Sequence, residues 1–257
     1  MLNNDNVYMG RKIMKQAASK THATRTVIEL RKKILGGELP GGTRLYEVPL
    51  AEELEISRTP LRDAMSRLAE EGLLERARSG GFVVRQFSFA DVIDAIEIRG
   101  VLEGTAARLA AERGVKPEAM ASIQAVVKEL DGVFGANPGE VEFEAYSELN
   151  ARFHAELAAL SGSKIVEKEV ERAARLPFAS PSAFLPDKTD IAAFRRSLNI
   201  AQEQHRAIVQ AIAAREGARA EALAREHARI ARRNIEYVLL EDRSLIERVP
   251  GLALVVA

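Results

Sequence analysis

The sequence predicts a mainly α protein in two parts: a small amino-terminal helix-turn-helix followed by a hairpin, then an all-α antiparallel helical bundle. Three observations predict it. Apolar residues recur at helical spacing through most of the 257 residues, the mark of helices with one buried face. Two short strand-like runs flank a Gly-Gly turn just after the first helices. The formal net charge is zero, yet residues 1–85 carry 15 Lys and Arg against 11 Asp and Glu, and the remainder carries 22 against 26. A basic beginning joined to an acidic remainder points to nucleic acid at one end only.

Composition sets the limits. At 47% hydrophobic and 29% charged the chain can bury a core and does not match a disordered segment. The absence of cysteine excludes a disulfide framework and thiol chemistry. No apolar run approaches the roughly eighteen residues of a membrane span, and Met1-Leu2-Asn3-Asn4-Asp5 does not open a signal peptide. The expectation is a cytoplasmic protein with no membrane partner.

Residues 1–20 read as a flexible basic tail with Arg11, Lys12, Lys15 and Lys20. A first helix is expected from Thr24 to Leu35, with Val27, Leu30 and Ile34 inward and Gly36-Gly37 as its stop. Pro40-Gly41-Gly42 is a turn. Leu50, Ala51 and Leu54 mark a short second helix, and Glu55-Ile56 turns the chain into Ser57. Ser57 is a good N-cap, since its hydroxyl can accept a first-turn N–H, and Pro60 is tolerated in that turn. Leu61, Ala64, Met65 and Leu68 then form one apolar face. At about 100° per residue, Arg58, Thr59, Arg62, Asp63 and Ser66 fall opposite, with Arg67 at the edge.

The start of this third helix therefore offers two arginines and two hydroxyls beside a helix N-terminus that attracts anions. Such a surface suits a major groove and its flanking phosphates. Any amphipathic helix has a charged outer face, so its neighbours decide the reading. Leu73-Leu74-Glu75-Arg76-Ala77 and Phe82-Val83-Val84-Arg85 form a hairpin around Arg78-Ser79-Gly80-Gly81. Helix, turn, helix and hairpin in succession make a winged helix-turn-helix over 21–86, with Arg78 at the wing tip.

Ser88-Phe89-Ala90-Asp91 has the capping-box pattern, which places a boundary at Gln86-Phe87. A helical domain is expected over 87–241, then a tail over 242–257. Its first helix carries Val92, Ile96, Val101, Leu102 and Leu109 and ends near Gly114. Further helices are expected at Pro117–Phe134, Val141–Leu160, Ser163–Leu176, Ile191–Leu198, Ile200–Arg215 and Ala218–Leu240. Gly135–Gly139 and the three-proline segment Pro177–Asp190 are loops.

Three of the four histidines fall in this domain. Asn150 and His154 stand at i and i+4 on one helix and point the same way. His205 and His227 lie midway along two successive helices. One oxygen and three imidazoles suit a borderline divalent ion such as Zn²⁺ or Ni²⁺. The competing reading, a hydrogen-bonded core histidine after Phe153 and two ordinary polar positions, is the commoner use of such residues.

Leu50-Ala51-Glu52-Glu53-Leu54, Ser57-Arg58-Thr59-Pro60-Leu61-Arg62-Asp63-Ala64, Leu68, Glu71-Gly72-Leu73 and Gly81-Phe82-Val83 together resemble the winged helix-turn-helix of the GntR superfamily of bacterial transcription regulators. The resemblance implies a homodimer on double-stranded DNA bearing a short palindromic operator. It implies DNA contacts from Arg58, Thr59, Arg62 and Arg67, with Ser57 beside them and the Gly80 wing tip in the minor groove. Arg78 belongs to the same tip, and Arg44 is a candidate phosphate contact.

Asn150-Ala151-Arg152-Phe153-His154, Glu203-Gln204-His205-Arg206-Ala207-Ile208, Ala211-Ile212 and Ala222 to His227 are similar to the effector domain of the FadR branch, of FCD type. That likeness implies a metal inside a helical bundle, held by Asn150, His154, His205 and His227, where many relatives have Asp in place of Asn150. It also matches Arg99 to an arginine that holds a carboxylate effector, although a surface salt bridge suits the same residue equally. The expected function is a ligand-responsive regulator, a repressor of a catabolic or transport operon, and not an enzyme. A metal-dependent hydrolase is the alternative. It lacks a general base in a fixed motif beside the histidines and leaves residues 24–85 unexplained. A scaffold with a purely structural metal is the third reading.

Overall fold

The computed structural model describes residues 24–135, 140–175, 178–180, 192–242, 244, 246 and 251–256. The basic tail, the 136–139 loop and most of the proline segment expected over 177–190 lie outside them, as do the expected helix ends at Leu176 and Ile191. The described residues fall into two compact units, one of residues 24–86 with Ala253–Val256, the other from Phe87 to Leu252.

The first unit is a winged helix-turn-helix. Helix α1 spans residues 24–35 and buries Val27, Leu30 and Ile34; Gly37, at φ +79°, ends it. A two-residue strand β1 (Arg44–Leu45) precedes α2 (Glu47–Glu53), and α3 runs Arg58–Glu70. The turn between the helices passes through Glu55 at φ +51°. Leu61, Ala64, Met65 and Leu68 are all fully buried, so the periodicity read from the sequence is the core-facing stripe.

Two expectations change here. Ser57 occupies the N-cap, but its side chain makes no capping bond. An N-cap hydroxyl accepts from the N–H of N2 or N3, and N3 is Pro60, which has none. The second change is β1. Strands β2 (Leu74–Arg76) and β3 (Phe82–Val84) form the expected hairpin, and β1 adds to it in the order β1-β3-β2. Two residues are too few for a period-2 pattern to show. Gly81 sits where β1 and β3 meet: its φ is +78°, and a Cβ there would stand 2.9 Å from the Leu45 carbonyl oxygen.

The second unit is all helical among the described residues: α4 (Phe89–Arg113), α5 (Pro117–Asp131), α6 (Phe143–Leu160), α7 (Lys164–Ala174), α8 (Ala192–Ala213) and α9 (Gly217–Glu236), with a π turn Tyr237–Glu241 extending the last. The capping box that opens α4 is formed: Ser88 Oγ accepts from the Asp91 N–H, and Asp91 accepts from Ser88 N–H at 2.8 Å. The segment expected to break at Asn199 is one helix. Asn199 bonds back to the Arg195 carbonyl, and the buried stripe Phe194, Leu198, Ala201, His205, Ile208, Ile212 passes it without interruption.

Helix α4 also faces differently from its hydrophobic pattern. Val101 is 41% exposed, while Arg99 and Glu103 are 2% and 1% exposed. The buried stripe is Ile96, Arg99, Gly100, Glu103, Ala106, Ala107 and Ala110, so two charges lie where alternatives were apolar. Glycines let α9 approach this stripe. A Cβ on Gly100 would stand 2.8 Å from Ala228 Cβ, and one on Gly104 would stand 3.1 Å from the Glu221 carbonyl oxygen.

Overpacking that contact is therefore expected to be costly. Gly100→Val should lower unfolding free energy by about 1–3 kcal/mol, measured by denaturant titration, whereas Val101→Ala on the exposed side should change it by under about 0.5 kcal/mol.

Candidate metal centre and nucleic-acid face

Three helices bring three imidazoles together. His154 on α6, His205 on α8 and His227 on α9 are all buried, and one ligand nitrogen from each lies within 4.8 Å of the others. The Nε2 of His227 is 3.1 Å from that of His205 and 3.3 Å from that of His154. Two nitrogens bound to one tetrahedral ion at about 2.0–2.1 Å would be about 3.3–3.4 Å apart.

The far sides of the rings explain which nitrogen points inward. His154 Nδ1 is 2.8 Å from Glu103 Oε1, and an ionised carboxylate only accepts. His205 Nδ1 is 3.0 Å from Gln202 Oε1. The Gln202 amide nitrogen donates to the Val127 carbonyl at 2.9 Å and to Asp131, which fixes the amide's orientation. His227 Nδ1 meets Gln204 Oε1 at 3.3 Å. Glu103 and the oriented Gln202 amide thus place the proton on Nδ1 of His154 and His205 and leave their Nε2 lone pairs inward, while Gln204 at His227 fits either tautomer. Three buried imidazole nitrogens at this spacing, with such outer partners, fit a divalent ion bound by neutral imidazoles.

Electrostatics agree. Burial, with the neighbouring histidines, pushes His205 well below its ordinary value, and burial with His154 brings His227 down to about 3. Burial alone would raise the Glu103 carboxyl, but His154 and Arg99 hold it down to about 2.

Asn150 is buried one turn before His154 on α6 and lines the same small cavity, about 40 Å³, as His154, His227 and Arg99. Arg99 is the second feature of this cavity. It is buried, and neither its Nε nor its Nη1 has a hydrogen-bond partner, so the surface salt bridge is excluded. Tyr146, one turn before Asn150, lines the cavity too, and burial pushes its hydroxyl's pKa up, which keeps the donor protonated.

On the first unit, Ser57, Arg58, Thr59, Arg62, Arg67, Arg78 and Gly80 are all exposed. Arg62 is not idle: its Nε and Nη2 donate to the two oxygens of Glu47 at 2.7 and 2.6 Å, and Arg58 pairs with the same carboxylate at 3.5 Å. The two bonds from Arg62 hold the Glu47 carboxyl below its usual range. Arg67 pairs with Glu71. Arg44 donates to Ser79 Oγ and to the Gly80 carbonyl at 2.8 Å, bracing the wing tip.

Comparison with known proteins places this geometry. Residues 94–229, more than half of the chain, match the FCD domain, and residues 23–84 match the bacterial regulatory proteins of the gntR family. The chain belongs to the GntR family, with an FCD domain. Among relatives, it is 36% identical over 129 residues to the Nta operon transcriptional regulator of Aminobacter aminovorans, covering 50% of this chain and 59% of that protein. It is also 36% identical over 123 residues to the probable D-xylose utilization operon transcriptional repressor of Paenarthrobacter nicotinovorans, covering 45% of this chain and 54% of that protein. The chain thus spans little more than half the length of these two relatives. The solved structure of E. coli McbR/YncC shares the fold at TM-score 0.57 and 22% identity, over 84% of this chain and 96% of that one. The family and the relatives are transcription regulators, not enzymes.

For this GntR-family chain, sequence reading brought forward the three histidines and Arg99 but missed Glu103, Gln202, Gln204 and Glu47. The available signal was helical spacing: Glu103 follows Arg99 by four residues, and Gln202 precedes His205 by three.

If the donor set holds an ion, apo protein should bind a single equivalent of Zn²⁺ in equilibrium dialysis. Glu103→Gln or Gln202→Ala should weaken it about 10–100-fold, and His205→Ala should weaken it further. Unchanged affinity in His205→Ala would show that the ring is only a core residue.

Proposed function

We propose that this chain is a ligand-responsive, DNA-binding transcription regulator. Residues 21–86 read the operator, and residues 87–241 bind a small organic acid beside a metal. The observation that carries the effector half is Arg99: a buried guanidinium with two unpartnered donors belongs to the lining of the cavity that Asn150, His154 and His227 also line. Buried donors left without a partner are costly, and a carboxylate oxygen is a strong acceptor for one of them.

The metal, most readily Zn²⁺ for this ligand set and Ni²⁺ next, would be held by His154, His205 and His227, with Asn150 as the oxygen ligand. Bound there, it supplies a Lewis acid with positions left for water or an anion. The chain's own residues set the rest: Glu103 places one negative charge behind His154, Arg99 returns a positive one on the cavity side, and Asn150 adds none. The cavity is left strongly positive. Effector binding then changes operator affinity by linkage.

The DNA half rests on α3, whose Arg58, Thr59 and Arg62 project from an exposed helix start beside Ser57. A single helix-turn-helix reads too few base pairs for one genomic site, so the reading includes a homodimer on a palindromic operator. Regulation by repression of a catabolic or transport operon follows the naming of the Paenarthrobacter relative as a repressor. The location is cytoplasmic, and among the described residues no helix is long and apolar enough to cross a membrane.

Two measurements test this. Duplexes selected from a random pool should share a palindrome, and Arg62→Ala should cost about 1–3 kcal/mol on it and relax one position in each half-site; undiminished affinity and preference would remove α3 from the interface. Zn²⁺-loaded protein titrated calorimetrically with small mono-, di- and tricarboxylates should bind at least one of them. Arg99→Gln should weaken that acid at least tenfold, and Asn150→Asp should weaken it while keeping or improving Zn²⁺ affinity. Equal acid affinity in all three proteins would make the ion structural.

A further inference from the structure

Three charged side chains meet where α2 and α3 begin. Glu47 stands in the first turn of α2, with its side chain 18% exposed. Both of its oxygens accept from Arg62, at 2.7 and 2.6 Å, and Arg58 approaches one of them at 3.5 Å. Arg58 and Arg62 sit about one turn apart on α3, and their side chains are 62% and 57% exposed. The trio lines one surface recess with Tyr46, Val48 and Gly81 of the wing turn.

The way Arg62 is held decides what it still offers. A guanidinium carries five N–H groups in a rigid fork. Glu47 takes the edge formed by Nε and Nη2, so the edge formed by Nη1 and Nη2 is left over. That outer edge is the pair of donors that matches O6 and N7 of guanine. An unheld arginine would offer it in many orientations and lose that freedom on binding. The charges act in parallel. Two guanidiniums and one carboxylate sum to a single positive charge, whereas attraction to phosphates regardless of sequence grows with each cation.

We propose that Glu47 is a positioning residue for operator discrimination, which presents the outer edge of Arg62 to a guanine and cancels part of the attraction that any duplex exerts. Its action rests on the reading that α3 faces base edges, and the carboxylate stays with Arg62 in the complex. A carboxylate close to DNA weakens every complex, matched or not. The orientation it imposes on Arg62 favours only the matched one.

The test compares the selected palindrome with a random-sequence duplex of equal length, using the full chain over a range of salt. Glu47→Gln should bind the random duplex at least about threefold tighter at low salt, with log affinity against log salt steeper by about one per protomer. The ratio of palindrome to random affinity should fall at least about tenfold while melting temperature holds. Glu47→Asp keeps the charge but is one methylene too short for the grip on both donors, so its ratio should fall without the rise in random binding. Glu53→Gln removes an equal charge from α2 at a residue that pairs with Lys33 instead, and should leave the ratio within about twofold. In an Arg62→Ala background, Glu47→Gln should change the ratio by less than about threefold, since its route through Arg62 is gone. An unchanged ratio in both Glu47 variants, beside an Arg62→Ala protein that has lost discrimination, would overturn the proposal while keeping α3 on the bases. A fall as large in Glu53→Gln would reduce the effect to charge alone and overturn it as well. Full discrimination in Arg62→Ala would instead overturn the reading of α3 itself.

Discussion

Three buried imidazoles converging from three helices are the constraint on which the helical unit depends. Glu103 and the oriented Gln202 amide fix the rings of His154 and His205 from behind, and Gln204 meets that of His227, so a change of tautomer at either of the first two would leave a buried donor or acceptor unpaired. Packing holds the arrangement together. Phe153 supplies part of that packing, with its ring 4.1 Å from the His205 ring centroid. The close approach of α4 and α9 at Gly100 and Gly104 is what brings Glu103 and His227 within reach of the same point.

Charge is distributed around that point in a definite order. An Asp at position 150 would neutralise part of an ion's charge directly; here Asn150 does not, and the carboxylate stands one ring further out, at Glu103. Glu103 therefore compensates the site without occupying a coordination position. Arg99, four residues earlier on the same face, adds positive charge on the cavity side. Burying both charges is expensive, and the two offset each other: Arg99 helps hold the Glu103 carboxyl ionised.

The DNA-facing unit handles its charges in the opposite way, by keeping them in water. Arg58 and Arg62 share Glu47, and Arg67 shares Glu71 with Arg31. The Arg58, Arg62 and Arg67 side chains are mostly exposed, and pairs made by such residues cost little to break. Glu47 nevertheless holds the Arg62 fork in one orientation through two bonds, which limits the side chain's freedom.

The sequence by itself determined the parts that local periodicity controls. The α3 stripe of Leu61, Ala64, Met65 and Leu68, the hairpin, the capping box at Ser88 and the helical character of the second unit all follow from spacings of two to four residues. Three of the four histidines could be singled out because each lies within a strongly periodic helix. What only the tertiary structure decided involves contacts between residues far apart in the chain. Glu103 meets His154 across 51 positions, Gln202 meets Val127 across 75, and Arg44 meets the wing across 36. The pattern of α4 also misleads, because Arg99 and Glu103 occupy its buried face and displace Val101 to the surface. Hydrophobic periodicity assumes that charge faces water, and the rule fails where a cavity needs the charge inside.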